Sequence, residues 1–313
     1  MGGEDGRVSR RRLALLLRLA AAVVVGVALA VVLTVWPPPF LWSLFADEKP
    51  SPVAGEPVPP IAGTPEARLA VAGDTGTGKA EQYATAQQMV DQRADSPYDG
   101  LLLLGDLIYE EGDADLTESR VVRPFAPVLG DDGTLLPVLG NHDYASGEQH
   151  EILDQLGRQR SWYVERIGPV RVVVLDTKQV DDPDQTEWLE EVLDRPERPG
   201  SWTVVGLHHP PYSAGMHGSD AEVRETWVPL FAAAGVDLVL AGHDHNYQRS
   251  EPQDGVTYVV SGAGAKLDPT GSQDFTAVSA STLHFLDLLF YDDRIVGRAI
   301  DHSGELVDAF EIR

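Results

Sequence analysis

Seven side chains able to hold a metal ion each follow the end of a short apolar run: Asp74, Asp106 with Tyr109, Asn141, His208, His243 and His245. Carboxylate, phenolate and imidazole donors suit hard or borderline ions such as iron, zinc or manganese, and a carboxylate set between two ions can bridge them. Two ions roughly 3.5–4 Å apart can activate water and stabilise the leaving oxygen of an in-line displacement, so phosphoryl transfer is the obvious use. Taken singly the pieces are weak, because Gly73-Asp74 or Gly105-Asp106 after a strand is also an ordinary turn. Gly242-His243-Asp244-His245 is more telling, since histidines two apart just past a strand have little packing reason to be there. Of nine histidines, five (His142, His208, His217, His243 and His245) fall in these loops, which concentrates imidazole where the carboxylates are.

The elements that must place these donors are legible as runs. Leu69–Gly73, Leu101–Leu104, Leu135–Leu139, Val170–Leu175, Trp202–Leu207, Val236–Ala241 and Tyr258–Ser261 read as buried strands, and Leu283–Tyr291, Arg294–Ile300 and Glu305–Ile312 are strand-like. Helical segments lie between the earlier ones: Lys79–Arg93, a segment opened by Asp182-Pro183 and stopped before Pro196, and Ala221–Ala234 closed by Gly235. Strands alternating with helices and then giving way to strands alone imply an α/β sandwich, with a mainly parallel first half and a more antiparallel second half. In such sheets ligands collect beyond the carboxyl ends of the strands, where all seven donors fall.

With these pieces assembled, the chain resembles the calcineurin-like metallophosphoesterases, specifically the purple acid phosphatases of the tartrate-resistant type. The resemblance rests on Asp74 in GDTG, Asp106 and Tyr109 in GDLIY, Asn141 in GNHD, His208 in VGLHHPPYS, His243 and His245 in GHDHN, and the downstream YVVSGAG; it covers about residues 67–265. It implies a four-layer α-β-β-α sandwich with two mixed sheets. It also implies two metal ions: a ferric site from Asp74, Tyr109 and His245, a site for Fe(II), Zn(II) or Mn(II) from Asn141, His208 and His243, and Asp106 bridging them. His142 and His217 would face the substrate. His209 adjoins a ligand and is expected to pack or to support it, and His150, His284 and His302 to be structural or exposed. A ferric–divalent pair brings five positive charges against three from Asp74, Asp106 and a deprotonated Tyr109; a hydroxide leaves the centre near +1, which would draw a phosphate dianion. The implied reaction is hydrolysis of a small phosphomonoester by in-line attack of hydroxide activated on the metal pair, with Asp106, His142 and His217 as catalytic groups and a low pH optimum. Two other readings stay open: a phosphodiesterase or nucleotide pyrophosphatase on the same core, and a non-catalytic membrane-tethered binding or sensor domain. A third is a redox role for an iron centre.

The ends of the chain set its surroundings. Residues 1–18 are basic, and Leu19–Trp36 is an uninterrupted apolar stretch of about the ~18 residues a membrane span needs. The arginines on its N-terminal side place the remainder of the chain outside the cytoplasm. A transmembrane anchor is favoured over a cleaved signal peptide, whose apolar core is usually roughly 7–15 residues, and Ser9-Arg10-Arg11-Arg12-Leu13 also resembles a twin-arginine export signal. Residues 37–66 read as a Pro-rich linker and 67–313 as the catalytic domain. The formal net charge is −25; five Arg against Glu4 and Asp5 give residues 1–46 a charge of +3, so the rest carries −28. Such a domain is repelled by nucleic acid. With no cysteine, disulfides, thiolate ligands and a cysteine nucleophile are excluded.

Overall fold

A computed structural model describes residues 56–93, 96–130, 133–196, 198 and 200–313. The expected membrane segment and most of the linker lie outside these residues, and among the described residues no helix is long and apolar enough to cross a membrane.

Two seven-stranded sheets pack face to face. The first has the order β1 (Glu56–Pro57), β14 (Glu305–Ile312), β13 (Ile295–Asp301), β12 (His284–Phe290), β2 (Ala67–Ala72), β3 (Gly100–Leu104), β4 (Thr134–Val138). In the second the order is β11 (Thr276–Ala280), β9 (Tyr247–Ser250), β10 (Thr257–Ser261), β8 (Leu238–Ala241), β7 (Trp202–Gly206), β6 (Val170–Val174), β5 (Tyr163–Ile167). The runs β2-β3-β4 and β6-β7-β8-β10 are parallel and the remaining pairs antiparallel. Both sheets are therefore mixed, as expected.

Why the strands read as unbroken apolar runs is explained by the layers. Leu69 and Val71 of β2 face the inter-sheet core together with Leu102, Val204 and Leu240, while Ala70 and Ala72 face outward onto Met89 and Phe125. Those two residues come from α1 (Ala80–Arg93) and α2 (Arg123–Leu129), which cover the first sheet with α3 (Gln149–Gln155). On the other side Val173, Val205 and Val239 pack against Leu189 of α4 (Pro183–Leu193) and Trp227 and Phe231 of α5 (Ala221–Ala234). With both faces covered, alternation is lost and the central strands are largely apolar, the buried Asp287 of β12 being paired with Arg68 and Arg298. Asp182 caps α4 through the Asp184 N–H, Asp220 caps α5 through the Val223 N–H, and Gly235 ends α5 at φ 64°.

The linker is not entirely a free tether. Glu56 and Pro57 pair with Leu306 and Glu305 at the edge of the first sheet, and the Pro59 carbonyl accepts from Arg298 Nη1 at 2.7 Å. Extended backbone beside an open sheet edge satisfies that edge, which is why this stretch docks without any periodicity of its own.

One buried histidine braces the strand that ends at the first donor. His284 donates from Nδ1 to the Thr282 carbonyl at 2.9 Å and its Nε2 meets Ser261 Oγ at 3.0 Å, while the Ser261 carbonyl accepts the Gly73 N–H at 2.7 Å. Burial pushes the imidazole down to about 4, against the opposing pull of the Thr282 carbonyl and Asp301. The unfolded chain takes up this proton before the fold does, so stability is full above about pH 6.5 and is lost as pH falls toward 4. His284→Gln should flatten that slope: the stability difference between wild type and variant, from urea unfolding in chelator, should shift in the variant's favour by about 3 kcal/mol between pH 7.5 and 4. A pH-independent difference would refute the buried neutral imidazole.

Candidate metal centre

Five of the seven parallel strands, all but β6 and β10, hand one or two site residues to the same rim. Asp74 follows β2, Asp106 and Tyr109 follow β3, Asn141 and His142 follow β4, His208 follows β7, and His243 and His245 follow β8. Asp74, Asp106 and His243 have φ of 58°, 50° and 70°, and the fourth such non-glycine residue among those described is Asp254. Left-handed backbone at three donor positions is a local cost that the surrounding loops must over-determine. They do so by lacing together: the Asp74 N–H donates to the Gly105 carbonyl at 3.0 Å, Gly76 to Asp106 at 3.1 Å, Tyr109 to Gly76 at 3.0 Å and Gly242 to His208 at 3.1 Å. Gly140 is required by close approach, since a Cβ there would sit 2.2 Å from Asp106 Oδ1.

All seven expected donors converge. Tyr109 Oη lies 3.1 Å from Asp74 Oδ1, 2.9 Å from Asp106 Oδ2 and 3.2 Å from His245 Nε2. On the other side of Asp106, Oδ1 is 3.5 Å from His208 Nε2, which is 3.1 Å from Asn141 Oδ1. The His243 ring lies 5.1 Å from the His208 ring and its backbone N–H donates to Asp74 Oδ2 at 2.8 Å. Donor atoms at adjacent corners around an ion with bonds of about 2.1 Å sit about 3 Å apart, so these spacings fit a metal set. Asp106, with one oxygen turned to each group, has the geometry of a bridge.

The second ring nitrogens fix the first. His208 Nδ1 donates to the Leu104 carbonyl at 2.8 Å and His245 Nδ1 meets Asp268 Oδ2 at 2.6 Å, leaving Nε2 of each for an ion.

The sequence model of the calcineurin-like phosphoesterase family matches residues 67–247. The chain belongs to that family. Human tartrate-resistant acid phosphatase type 5 is 27% identical over 248 residues, spanning 66% of this chain and 75% of the relative. Purple acid phosphatase 3 of Arabidopsis thaliana is 26% identical over 280 residues, 74% of this chain and 75% of the relative. Among solved structures, a purple acid phosphatase from yellow lupin seeds superposes with a TM-score of 0.70 at 20% identity, over 82% of this chain and 55% of that one. This phosphoesterase is therefore a metal-dependent phosphoric ester hydrolase, and its family implies a dinuclear metal centre.

The electrostatics of the phosphoesterase centre demand cations. Burial, then the Asp74 and Asp106 carboxylates, push the Tyr109 phenol far above its ordinary range. Burial also opposes ionisation of Asp106, but His208, the His142 N–H and His142 outweigh it and hold the carboxyl low. His245, despite burial, is pushed up to about 10 by its contacts with Asp268 and Asp74. His243 is driven down by burial and by the neighbouring His208, His209 and His217. Ions entering the cluster must displace the protons on the phenol and on His245.

The two expected substrate-side histidines are also at the rim. His142 packs its ring 4.6 Å from that of Tyr109 and points Nδ1 at the Glu110 carbonyl; His217 is exposed, with its ring 4.3 Å from His243. His209 packs 4.9 Å from His208 and 4.4 Å from His243, and its Nδ1 is 2.6 Å from Thr177 Oγ1. Ring nitrogens of His208, His209 and His243 fall within 4.8 Å of one another, so His209 packs directly against two of the expected donors. His150 and His302 are exposed and His284 buried.

Several supporting carboxylates carry no mark of their own in the sequence. Asp143, fully buried, accepts the N–H groups of Leu107, Ile108 and Gly140, tying the Asp106 loop to the Asn141 loop; burial and the Asp106 charge push it up to about 7. Asp244 accepts from Ser213 Oγ and the His217 N–H, holding the His217 loop. Both stand inside the GNHD and GHDH motifs, and that adjacency is the available signal. Asp268 lies 23 residues beyond His245 with nothing local to mark it. Asp268→Asn should weaken metal binding about 10- to 100-fold by equilibrium dialysis against a chelator, with the fold intact by circular dichroism; unchanged affinity would remove Asp268 from the support of His245.

Proposed function

We propose that this phosphoesterase is a di-metal phosphomonoesterase of the acid phosphatase kind, with Asp74, Tyr109 and His245 holding one ion, Asn141, His208 and His243 the other, and Asp106 shared. The observation that carries this is the single phenol oxygen set within 3.2 Å of Asp74, Asp106 and His245, with the opposite oxygen of Asp106 turned to His208. Phenolate at such a position calls for a strong Lewis acid, since a free phenol ionises near ~10; this favours Fe(III) there, with Fe(II), Zn(II) or Mn(II) beside it. The metal pair, when bound, neutralises phosphate charge and acidifies water.

The chain's own residues then do the rest. Asp106 fixes the spacing of the two donor groups. His142, held through Nδ1 by the Glu110 carbonyl with Nε2 3.9 Å from Asp106 Oδ2, would steady the phosphate oxygens. His217, exposed against His243, would protonate the departing alkoxide. The Arg-flanked apolar segment 19–36 supports an enzyme anchored in a membrane and working outside the cytoplasm, on small phosphoesters rather than nucleic acid.

The test is a matched pair of substrates on metal-loaded protein. p-Nitrophenyl phosphate should be hydrolysed at least about tenfold faster than bis(p-nitrophenyl) phosphate, and chelation should abolish both activities; a faster diester reaction would favour the phosphodiesterase reading. His217→Ala should keep its metal and lose most, about 10²-fold or more, on esters with poor leaving groups. Equal losses on aryl and alkyl phosphates would count against His217 as the acid.

A further inference from the structure

The chain has four lysines, of which Lys79, Lys178 and Lys266 lie in its catalytic domain: Lys79 and Lys266 share a cleft with Glu110, the residue after Tyr109, and the charge of Lys178 reaches His209. Lys178 follows Thr177, the partner of His209. Lys266 sets its ammonium 4.0 Å from the centre of the Tyr109 ring. None of the three forms an ion pair among the described residues, although the domain is strongly acidic and Arg68, Arg158, Arg249, Arg294 and Arg298 are all paired. Cations without an acidic partner on an acidic domain are available to an anion that comes from outside.

Two of these lysines share a cavity. A cleft of about 330 Å³ opens beside Tyr109, lined by Lys79, Lys266, Glu81, Glu110, Leu267 and Leu283. Glu110 joins the cleft to the centre, being next to Tyr109 in the chain and accepting from His142 through its carbonyl. Both glutamates and Lys79 are exposed to solvent, where water and salt screen them, whereas Lys266 is half-buried against the ring and carries the less screened charge. Leu267, 50% exposed, gives the cleft an apolar surface beside its charges. The volume suits a small organic group.

We propose that this cleft is the leaving-group subsite, and that Lys79 and Lys266 select phosphomonoesters whose alcohol carries a second anionic group, as in a bisphosphate. The proposal rests on the phosphomonoesterase reading above. Hydrolysis adds water across the ester: the bond from phosphorus to the leaving oxygen breaks, that oxygen takes one proton, and inorganic phosphate keeps the oxygen of the water. The lysines act on the retained anion of the alcohol, not on the bond being cleaved.

Propyl phosphate and propane-1,3-diyl bisphosphate differ only in that second anion, so the ratio of their kcat/KM values isolates the cleft. Wild type should favour the bisphosphate; Lys79→Ala and Lys266→Ala should each reduce the ratio about tenfold, and Lys266→Arg should restore most of it. A wild-type ratio near one, or losses equal on both esters, would overturn the proposal. If wild type hydrolyses neither ester, the phosphatase reading fails, and calorimetric binding then judges the cleft separately. Tighter binding of the bisphosphate that disappears in Lys79→Ala retains an anion subsite, and equal binding of the two compounds discards it.

Discussion

The centre depends on one buried carboxylate. Asp106 is held away from water on left-handed backbone, turned by one oxygen to a phenol and by the other to an imidazole, and kept in its ionised form by its neighbours. Taking a charge out of water is costly unless it is paired and hydrogen-bonded. Here Asp74 lies alongside, so the two acids are satisfied in part by histidines and a phenol and most fully by cations. The proton held on Tyr109 and the proton held on His245 stand in for those cations.

That arrangement explains features of the scaffold that would otherwise be unrelated. Parallel strands deliver their carboxyl ends to one edge, so five loops meet without any long excursion. Fully buried strands set the heights of those loops, because sliding any strand by one residue would turn its core side chains to the wrong face. Gly140 permits the approach of two loops, and Asp143 then ties them through three N–H groups. The donors therefore stand on stiff elements, which is what a metal set with strict distances requires.

Much of this was legible in the sequence. Central strands were readable because burial on both faces makes them largely apolar, and the donors because each follows such a run. The weaker strands were not: β5 alternates on a sheet edge with Val164 and Arg166 turned outward, and β9 is Tyr-Gln-Arg-Ser, whose buried polar groups are satisfied only by tertiary partners such as Asp308. α2 carries Pro127 within it and α3 has just two buried residues, so neither shows a helical stripe. In the site, Asp268, Thr177 and Lys266 gain their meaning only from a histidine or phenol far away in the chain. Spacing can announce a donor; it cannot announce the group that orients the donor.

The most direct test is the metal stoichiometry of the full chain, purified in detergent, stripped with chelator and reloaded, then measured by elemental mass spectrometry with a visible spectrum of the iron-loaded form. The account predicts two ions per chain and a broad charge-transfer band from Tyr109 bound to ferric iron. A single ion, or none after careful reloading, would contradict the shared Asp106 centre, and two ions without that band would contradict iron at Tyr109.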